Sequence, residues 1–291
     1  PHISNLQRGG ASLRWKLALL VLLPLAFMVC SPVLFLLTGS LMDPGELSQY
    51  LSPILSQGKG YVAWRLVPQS PSLRSYVELL LDSPEFFAMF WNSVRITALI
   101  LVGQLLVGAP AAWGFARFQF RFRKTLFTLY LILMLMPFQV TMLSSFLVLD
   151  NIHLINTQWS VILPAVFSTF PVFLMYRFFR SIPEAILESA KLDTGSAFQI
   201  FLNIGLPLGS AGIVSALVLG FLENWNLIEQ PLAFLKDKTL WPLSLYLPNI
   251  DLAKAGVAFT GSVVTLLPAL LVFLSGQDYL EQGITAAAIK G

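Results

Sequence analysis

SIPEAILESAKLDTGSAFQIFLNIGLP (Ser181–Pro207) is a polar, charged interruption in an apolar half-chain, and its pattern is that of a shaped element rather than a slack connection. Ser181 with Glu184 has capping-box spacing, and Pro183 falls in the first turn, where its missing N–H costs nothing. The helix so started carries Glu184, Glu188 and Lys191 on one face, while Ile186, Leu187 and Ala190 fall on others and can pack against protein. Thr194-Gly195 predicts a stop, because glycine takes the left-handed conformation that ends helices. Ser196 with Gln199 repeats the capping signal. The reading is helix, Gly turn, helix, held between two membrane spans.

Working outward, the chain has 291 residues, 56% of them hydrophobic and 11% charged, against about 25% charged in a soluble domain. That predicts an all-α, polytopic membrane protein. Cys30 is the one cysteine and sits in an apolar run, and His2 and His153 are the only histidines, so neither a disulfide framework nor a metal site is expected. The net charge of +3 fits loop asymmetry better than nucleic-acid binding, and none is expected. Residue 1 is Pro rather than Met, which predicts a missing or processed N-terminus.

Residues 1–16 read as a cytoplasmic segment carrying Arg8, Arg14 and Lys16. Residues 17–37 form a first transmembrane helix, too long for a signal-peptide core. Residues 38–90, with five prolines, read as an outward-facing loop, helical at Tyr76–Leu81 and Pro84–Trp91. A membrane core at 91–276 holds five further apolar runs, about Ile96–Phe115, Leu126–Leu149, Val161–Phe178, Ile204–Leu222 and Val257–Leu274, and 277–291 form a tail. Lys and Arg concentrate before span 1 and in the loops after spans 2 and 4, which predicts six spans with both termini and Ser181–Pro207 cytoplasmic. The Arg117–Lys124 cluster is first a topology determinant.

No G-x-x-x-x-G-K-[ST] occurs, since Gly58-Lys59 is followed by Gly60, and neither H-E-x-x-H nor G-x-S-x-G is present. No catalytic residue is expected. Glu223 and Glu229 lie just past span 5, where a carboxylate is unremarkable. Asn224-Trp225-Asn226 offers two amides and an indole face, which suits a sugar at the outer end of a pathway as well as it suits a plain interfacial Trp. A chain that moves a solute without hydrolysing ATP needs an ion gradient or an ATPase partner, and a charged helix pair is a docking surface for the latter.

Glu188-Ser189-Ala190, followed by Ile204-x-Leu206-Pro207, resembles the E-A-A…G…I-x-L-P signature of type I ABC importer permeases. Asn92-Ser93-Val94, Trp113-Gly114-Phe115-Ala116-Arg117-Phe118, Met136-Pro137 with Gln139-Val140, Leu154-Ile155-Asn156-Thr157, Phe178–Pro183, Trp225-Asn226 with Pro231-Leu232, and Gly283–Ala286 with Ile289-Lys290-Gly291 resemble the carbohydrate-uptake branch, in collinear order. Thr194 stands where the signature has Gly, and Ser189 where Ala is usual.

The resemblance implies a type I permease fold with its coupling helix within 182–203. It implies coupling to the ATPase through Glu184, Glu188, Ser189, Ala190, Asp193, Thr194 and Gly195, with Lys290 and Gly291 in a tail that reaches the same interface. It also implies a second homologous permease, two ATPase subunits or a homodimer of one, an extracytoplasmic solute-binding protein and membrane lipid as partners. No cofactor is expected in this chain, ATP and Mg being bound by the ATPase. The location implied is a bacterial or archaeal plasma membrane. Asn224, Trp225 and Asn226 are expected to line or gate the pathway for a carbohydrate or polyol. The alternative is a secondary transporter or channel subunit working without an ATPase.

Overall fold

The structure is a computed structural model that describes residues 3–55, 60–61, 67–246 and 254–288. Among these residues it is all-α, apart from one isolated bridge between Met42 and Pro71. The chain divides into two compact units, Pro1–Ser83 with Ile250–Val264 and Pro84–Asn249 with Thr265–Gly291.

In the first unit, α1 (Ile3–Ser40) is longer than the predicted span, and its apolar stretch begins at Ala18. Leu20, Met28 and Val29 are each about 70% exposed, so this helix presents its side chains to something other than its own unit, as a helix in hydrocarbon must. The helices α2 (Pro44–Leu55) and α3 (Arg74–Leu81) follow. Met42, Leu47 and Ala255 form a small buried core here, and the Ser40 and Tyr76 hydroxyls lie 2.9 Å apart.

The predicted 38–90 loop ends earlier than expected. Pro84 opens α4 (Pro84–Arg117), a single 34-residue span, so Pro84–Trp91 is its first part rather than a loop helix. The reason is a continuous helical stripe: Phe86, Met89, Ser93, Ile96 and Ile100 are all buried along one face. A π turn at Gln104–Gly108 interrupts α4 just before Pro110. A second π turn, Phe201–Gly205, precedes Pro207. In each case the extra residue in the turn relieves the clash of the proline ring with the carbonyl four residues back.

The third predicted run, Leu126–Leu149, is not one straight helix. It comprises α5 (Arg123–Met134) and α6 (Phe138–Asn151), bent by 106°. Pro137 lies at the break with φ −68° and ψ 148°, and it drives the residue before it out of the helical region. Next come α7 (Trp159–Val166) and α8 (Thr169–Ser181), which together make a 23-residue span. They are followed by α9 (Glu184–Asp193), α10 (Ala197–Leu208), α11 (Ser210–Trp225) and α12 (Glu229–Phe234). The run predicted as Ile204–Leu222 is broken by 71° between α10 and α11. Gly209 and Gly212 mark that corner, because a Cβ on either would stand 2.3–2.4 Å from the rings of Phe179 and Phe178. The last helix is α13 (Ala255–Ala288). Among the described residues, four helices are long and apolar enough to cross a membrane, and the number is six when each bent pair counts as one span.

The loop after α12 is held by side chains from well upstream. Asn92 Nδ2 donates to the carbonyls of Thr239 (2.7 Å) and Trp241 (3.1 Å), and its Oδ1 accepts from Gln158 Nε2. Ser93 Oγ accepts from the Leu243 N–H, and Asn156 Oδ1 from the N–H groups of Lys236 and Asp237. The Asp237 carboxylate accepts in turn from Thr239 N–H, which holds it below the usual carboxylate range. Asn92, Ser93 and Asn156, three of the motif residues of the sequence, are thus loop fasteners.

Candidate functional site

The Ser181–Pro207 knuckle is built on a buried core. Leu187 and Ala190 of α9 are each 4% exposed and join Trp113, Met175, Phe179 and Phe201. Burying a leucine side chain is worth about 1.5–3 kcal/mol, enough to fix the rotation of a ten-residue helix about its axis. Trp113 meets Phe179 edge-on at 5.4 Å and Phe201 at 5.7 Å. Ile186 departs from expectation: it is 41% exposed rather than packed.

Two local expectations are corrected. The Ser181–Glu184 capping box does not form, because Ser181 ends α8 and its hydroxyl donates to Phe178 O. Pro183 stands just before α9, and Glu184 pairs instead with Arg117 at 3.6 Å. The Arg117 guanidinium also donates to the carbonyls of Phe179 and Ile182. Arg117 therefore anchors the start of the knuckle, a role beyond that of a topology charge.

Gly195 is not a left-handed stop either; Gly60 is the one glycine with positive φ among the described residues. Thr194 ends α9 by turning extended, at φ −146° and ψ 133°. Its hydroxyl donates to Gln199 Oε1 and accepts from the Ser196 N–H at 3.3 Å. Ser196 then caps α10 by accepting from the Gln199 N–H, as its spacing predicts. The residue that replaces the signature glycine organises the turn itself. Thr194→Gly removes both contacts, at about 1–2 kcal/mol. Amide exchange across residues 190–200, read by mass spectrometry, is expected to rise roughly 5–30-fold, and unchanged exchange refutes this account.

The outer face of the knuckle is exposed. Glu188 and Ser189 lie open, and Glu188 has no ion pair among the described residues. Leu192 and Phe198 are 90% and 66% exposed, so apolar surface lies open beside these polar groups. Ser189 and Asp193 line a cleft of about 400 Å³ with Ile186 and Ile204. Lys290 and Gly291 fall outside the described residues.

The predicted Asn224-Trp225-Asn226 group is split. Asn224 and Asn226 line a cavity of about 650 Å³ together with Glu223, Glu229 and Gln104. Trp225 does not. It is 2% exposed, stacks on Phe221 (5.3 Å, 13°), meets Phe90 edge-on, and donates from Nε1 to Thr265 O at 3.1 Å. It is a core tryptophan, not a stacking face. Consecutive helical residues point about 100° apart, so neighbours in sequence need not share a surface.

The cavity also holds Gln104, which the sequence alone did not single out. Gln104 lies in the π turn, 3% exposed, with its amide donating to Ala165 O at 2.9 Å. Gln139 Nε2 donates to both Glu229 oxygens, at 2.7 and 2.6 Å. A glutamine inside an apolar run was the available signal for Gln104.

Residues 104–286 match the family described as "Binding-protein-dependent transport system inner membrane component". The chain belongs to this family. One relative is the arabinooligosaccharides transport system permease protein AraQ of Bacillus subtilis (strain 168), 30% identical over 280 residues, covering 93% of this chain and 96% of the relative. The fold is that of a solved bacterial ABC transporter "involved in the import of the acidic polysaccharide alginate", with a TM-score of 0.77 at 19% identity over 92% of this chain and 97% of that one. A second structure, the bacterial alginate ABC transporter "in complex with alginate pentasaccharide-bound periplasmic protein", aligns with a TM-score of 0.65 at 16% identity, covering 92% of this chain and 94% of that one. The family match embraces both the knuckle and most of the cavity, and it makes the chain a multi-pass membrane permease subunit rather than an enzyme.

Proposed function

We propose that this chain is one permease subunit of an ATP-driven importer of a carbohydrate or related polyol, lining half of the translocation pathway. The observation that carries the reading is the knuckle: a helix pinned inward by Leu187, Ala190 and Arg117 and presenting an unpaired Glu188 beside exposed Leu192 and Phe198. Such a surface is rigid, charged and uncovered, as a docking element for an ATPase must be. Glu184 is already spent on Arg117, which leaves Glu188, Ser189 and Asp193 as the contacting groups, with Ala190, Thr194 and Gly195 shaping the turn.

In this reading a second homologous permease supplies the other half of the pathway, and two ATPase subunits bind ATP and Mg²⁺ and seat the knuckles. A solute-binding protein delivers the sugar from outside, a reading supported by the alginate transporter of the same fold, which was solved in complex with a pentasaccharide-bound periplasmic protein. Lys and Arg in the loops after spans 2 and 4 support a cytoplasmic position for both termini, the knuckle and the tail bearing Lys290 and Gly291, in a bacterial or archaeal plasma membrane. Closure of the ATPase dimer drags the knuckle, and the chain contributes a two-state equilibrium that this contact biases.

The test is uptake in cells expressing the whole transporter. Uptake is expected to stop on ATP depletion and to survive an ionophore. Uptake that survives ATP depletion and collapses with the ionophore makes the chain a secondary transporter subunit instead.

A further inference from the structure

Three spans end together on the side of the knuckle: α4 closes at Arg117, α5 opens at Arg123 and α8 closes at Ser181. A cavity of about 660 Å³ lies there, within the range of roughly 300–1,000 Å³ that small-ligand sites occupy. Arg123, Lys124 and Arg180 line it, and no Asp or Glu does among the described residues. Glu184, the carboxylate that opens the knuckle helix, is already paired with Arg117. Lys124 and Arg180 are exposed and have no hydrogen bond or ion pair among the described residues. Arg123 spends one guanidinium nitrogen on Ala116 O at 3.4 Å and keeps its other donors.

Two further observations concern the same wall. Phe122, before the first residue of α5, stands in the left-handed region at φ 66° and supplies no side-chain cap. The N–H groups of Lys124 and Thr125 have no acceptor among the described residues, and both residues line the cavity. The start of this 12-residue helix thus adds open amides and the positive end of a dipole to three cations. Beside them, Phe120 and Phe122 line the cavity and are 43% and 63% exposed. A soluble anion makes no use of such rings, whereas an acyl chain removes them from water.

Guanidinium forks and helix-start amides both match the oxygens of a phosphate. A cavity at the ends of three spans lies at the depth of lipid headgroups, where such phosphates are held. The cations have no carboxylate to cancel them, so a headgroup of net negative charge fits better than a zwitterionic one, whose own amine opposes them. We infer that this cavity binds an anionic phospholipid, its phosphate held by Arg123, Lys124, Arg180 and the first amides of α5 and its acyl chains lying against Phe120 and Phe122. The inference needs only a membrane subunit and is independent of the solute carried. Arg180 is the penultimate residue of α8 and lies four residues before Glu184 opens the knuckle helix, so the lipid grips the span that carries the knuckle.

The experiment titrates the complete purified transporter in detergent with palmitoyl-oleoyl phosphatidylglycerol and, separately, with the phosphatidylcholine of the same chains, and counts bound lipids by native mass spectrometry. Each cation near a membrane surface is worth about 5-fold in affinity for an anionic lipid, so the wild type is expected to prefer phosphatidylglycerol by roughly 30–100-fold and K124Q/R180Q to lose about 30-fold of its affinity. K236Q/K238Q, which removes the same charge from the loop after α12, is expected to bind as the wild type does. The same spectrum shows whether the subunits remain assembled, and R180Q alone, losing about 5-fold, carries the test if the double variant does not assemble. In nanodiscs, amide exchange across residues 119–127 is expected to slow when phosphatidylglycerol replaces phosphatidylcholine. Equal binding of the two lipids, or equal losses in the two double variants, overturns the inference. Displacement of the lipid by millimolar inorganic phosphate makes this a site for a soluble anion and overturns it too. Exchange across 119–127 that is slow in both kinds of nanodisc means that a partner subunit covers the cavity, with the same consequence.

Discussion

Glu188→Lys is expected to leave the transporter assembled and hydrolysing ATP, and to lower solute uptake by at least about 30-fold. Glu188 is exposed on the same face as Lys191, one turn beyond Glu184, and its immediate neighbours Leu187 and Ala190 are what hold the helix to the core. The substitution therefore touches docking and spares folding. When the knuckle seats in a partner, a carboxylate lost and a cation gained at a desolvated contact cost about 2–5 kcal/mol, or roughly 30–5000-fold in the coupled equilibrium. Glu188→Gln, which keeps the shape and removes the charge, is expected to fall between. Uptake and ATPase activity in proteoliposomes, together with co-purification of the ATPase, separate the outcomes. Wild-type uptake by the Lys variant sinks the proposed coupling role.

Local pattern went a long way in this chain and failed where distant parts of it intervene. The Ser196–Gln199 cap formed as its spacing predicts, because both partners lie within one turn and nothing else competes for them. The Ser181–Glu184 box has the same spacing and did not form. Arg117, 65 residues upstream of Ile182, takes the Ile182 carbonyl and the Glu184 carboxylate, and no local rule contains that contact. Apolar runs located the spans but not their shape. Hydropathy is indifferent to whether Pro137 bends a helix by 106°, whereas the pyrrolidine ring is not. The cavity was half visible: Asn224 and Asn226 face it, while Gln104 of α4 and Glu229 of α12, the latter bonded to Gln139 of α6, join Glu223 of α11 there from elsewhere in the chain. Gln104 opens the π turn before Pro110, a break in helical register that hydropathy does not show.

Trp225→Ala is expected to destabilise the protein by about 3–5 kcal/mol, the range for removing a buried large aromatic, and to lower the midpoint of thermal unfolding in detergent by on the order of 10 °C. The indole packs against Phe221 and Phe90, and its N–H is used on Thr265 O, so the substitution opens a void and removes a hydrogen bond between α11 and α13. Trp225→Phe keeps most of the ring packing and loses one hydrogen bond, at about 1 kcal/mol. A structural role and a sugar-stacking role then diverge. If Trp225 is core, the Phe variant transports normally per folded transporter, and the Ala variant loses uptake only as its folded fraction falls. If Trp225 stacks on the passing sugar, uptake drops in the Ala variant even where the protein remains folded, at temperatures well below the midpoint. The indole is 2% exposed, and the pocket it does border is apolar, lined by Val94, Leu101 and Leu271 rather than by the polar groups of the cavity, so the first pattern is the one expected.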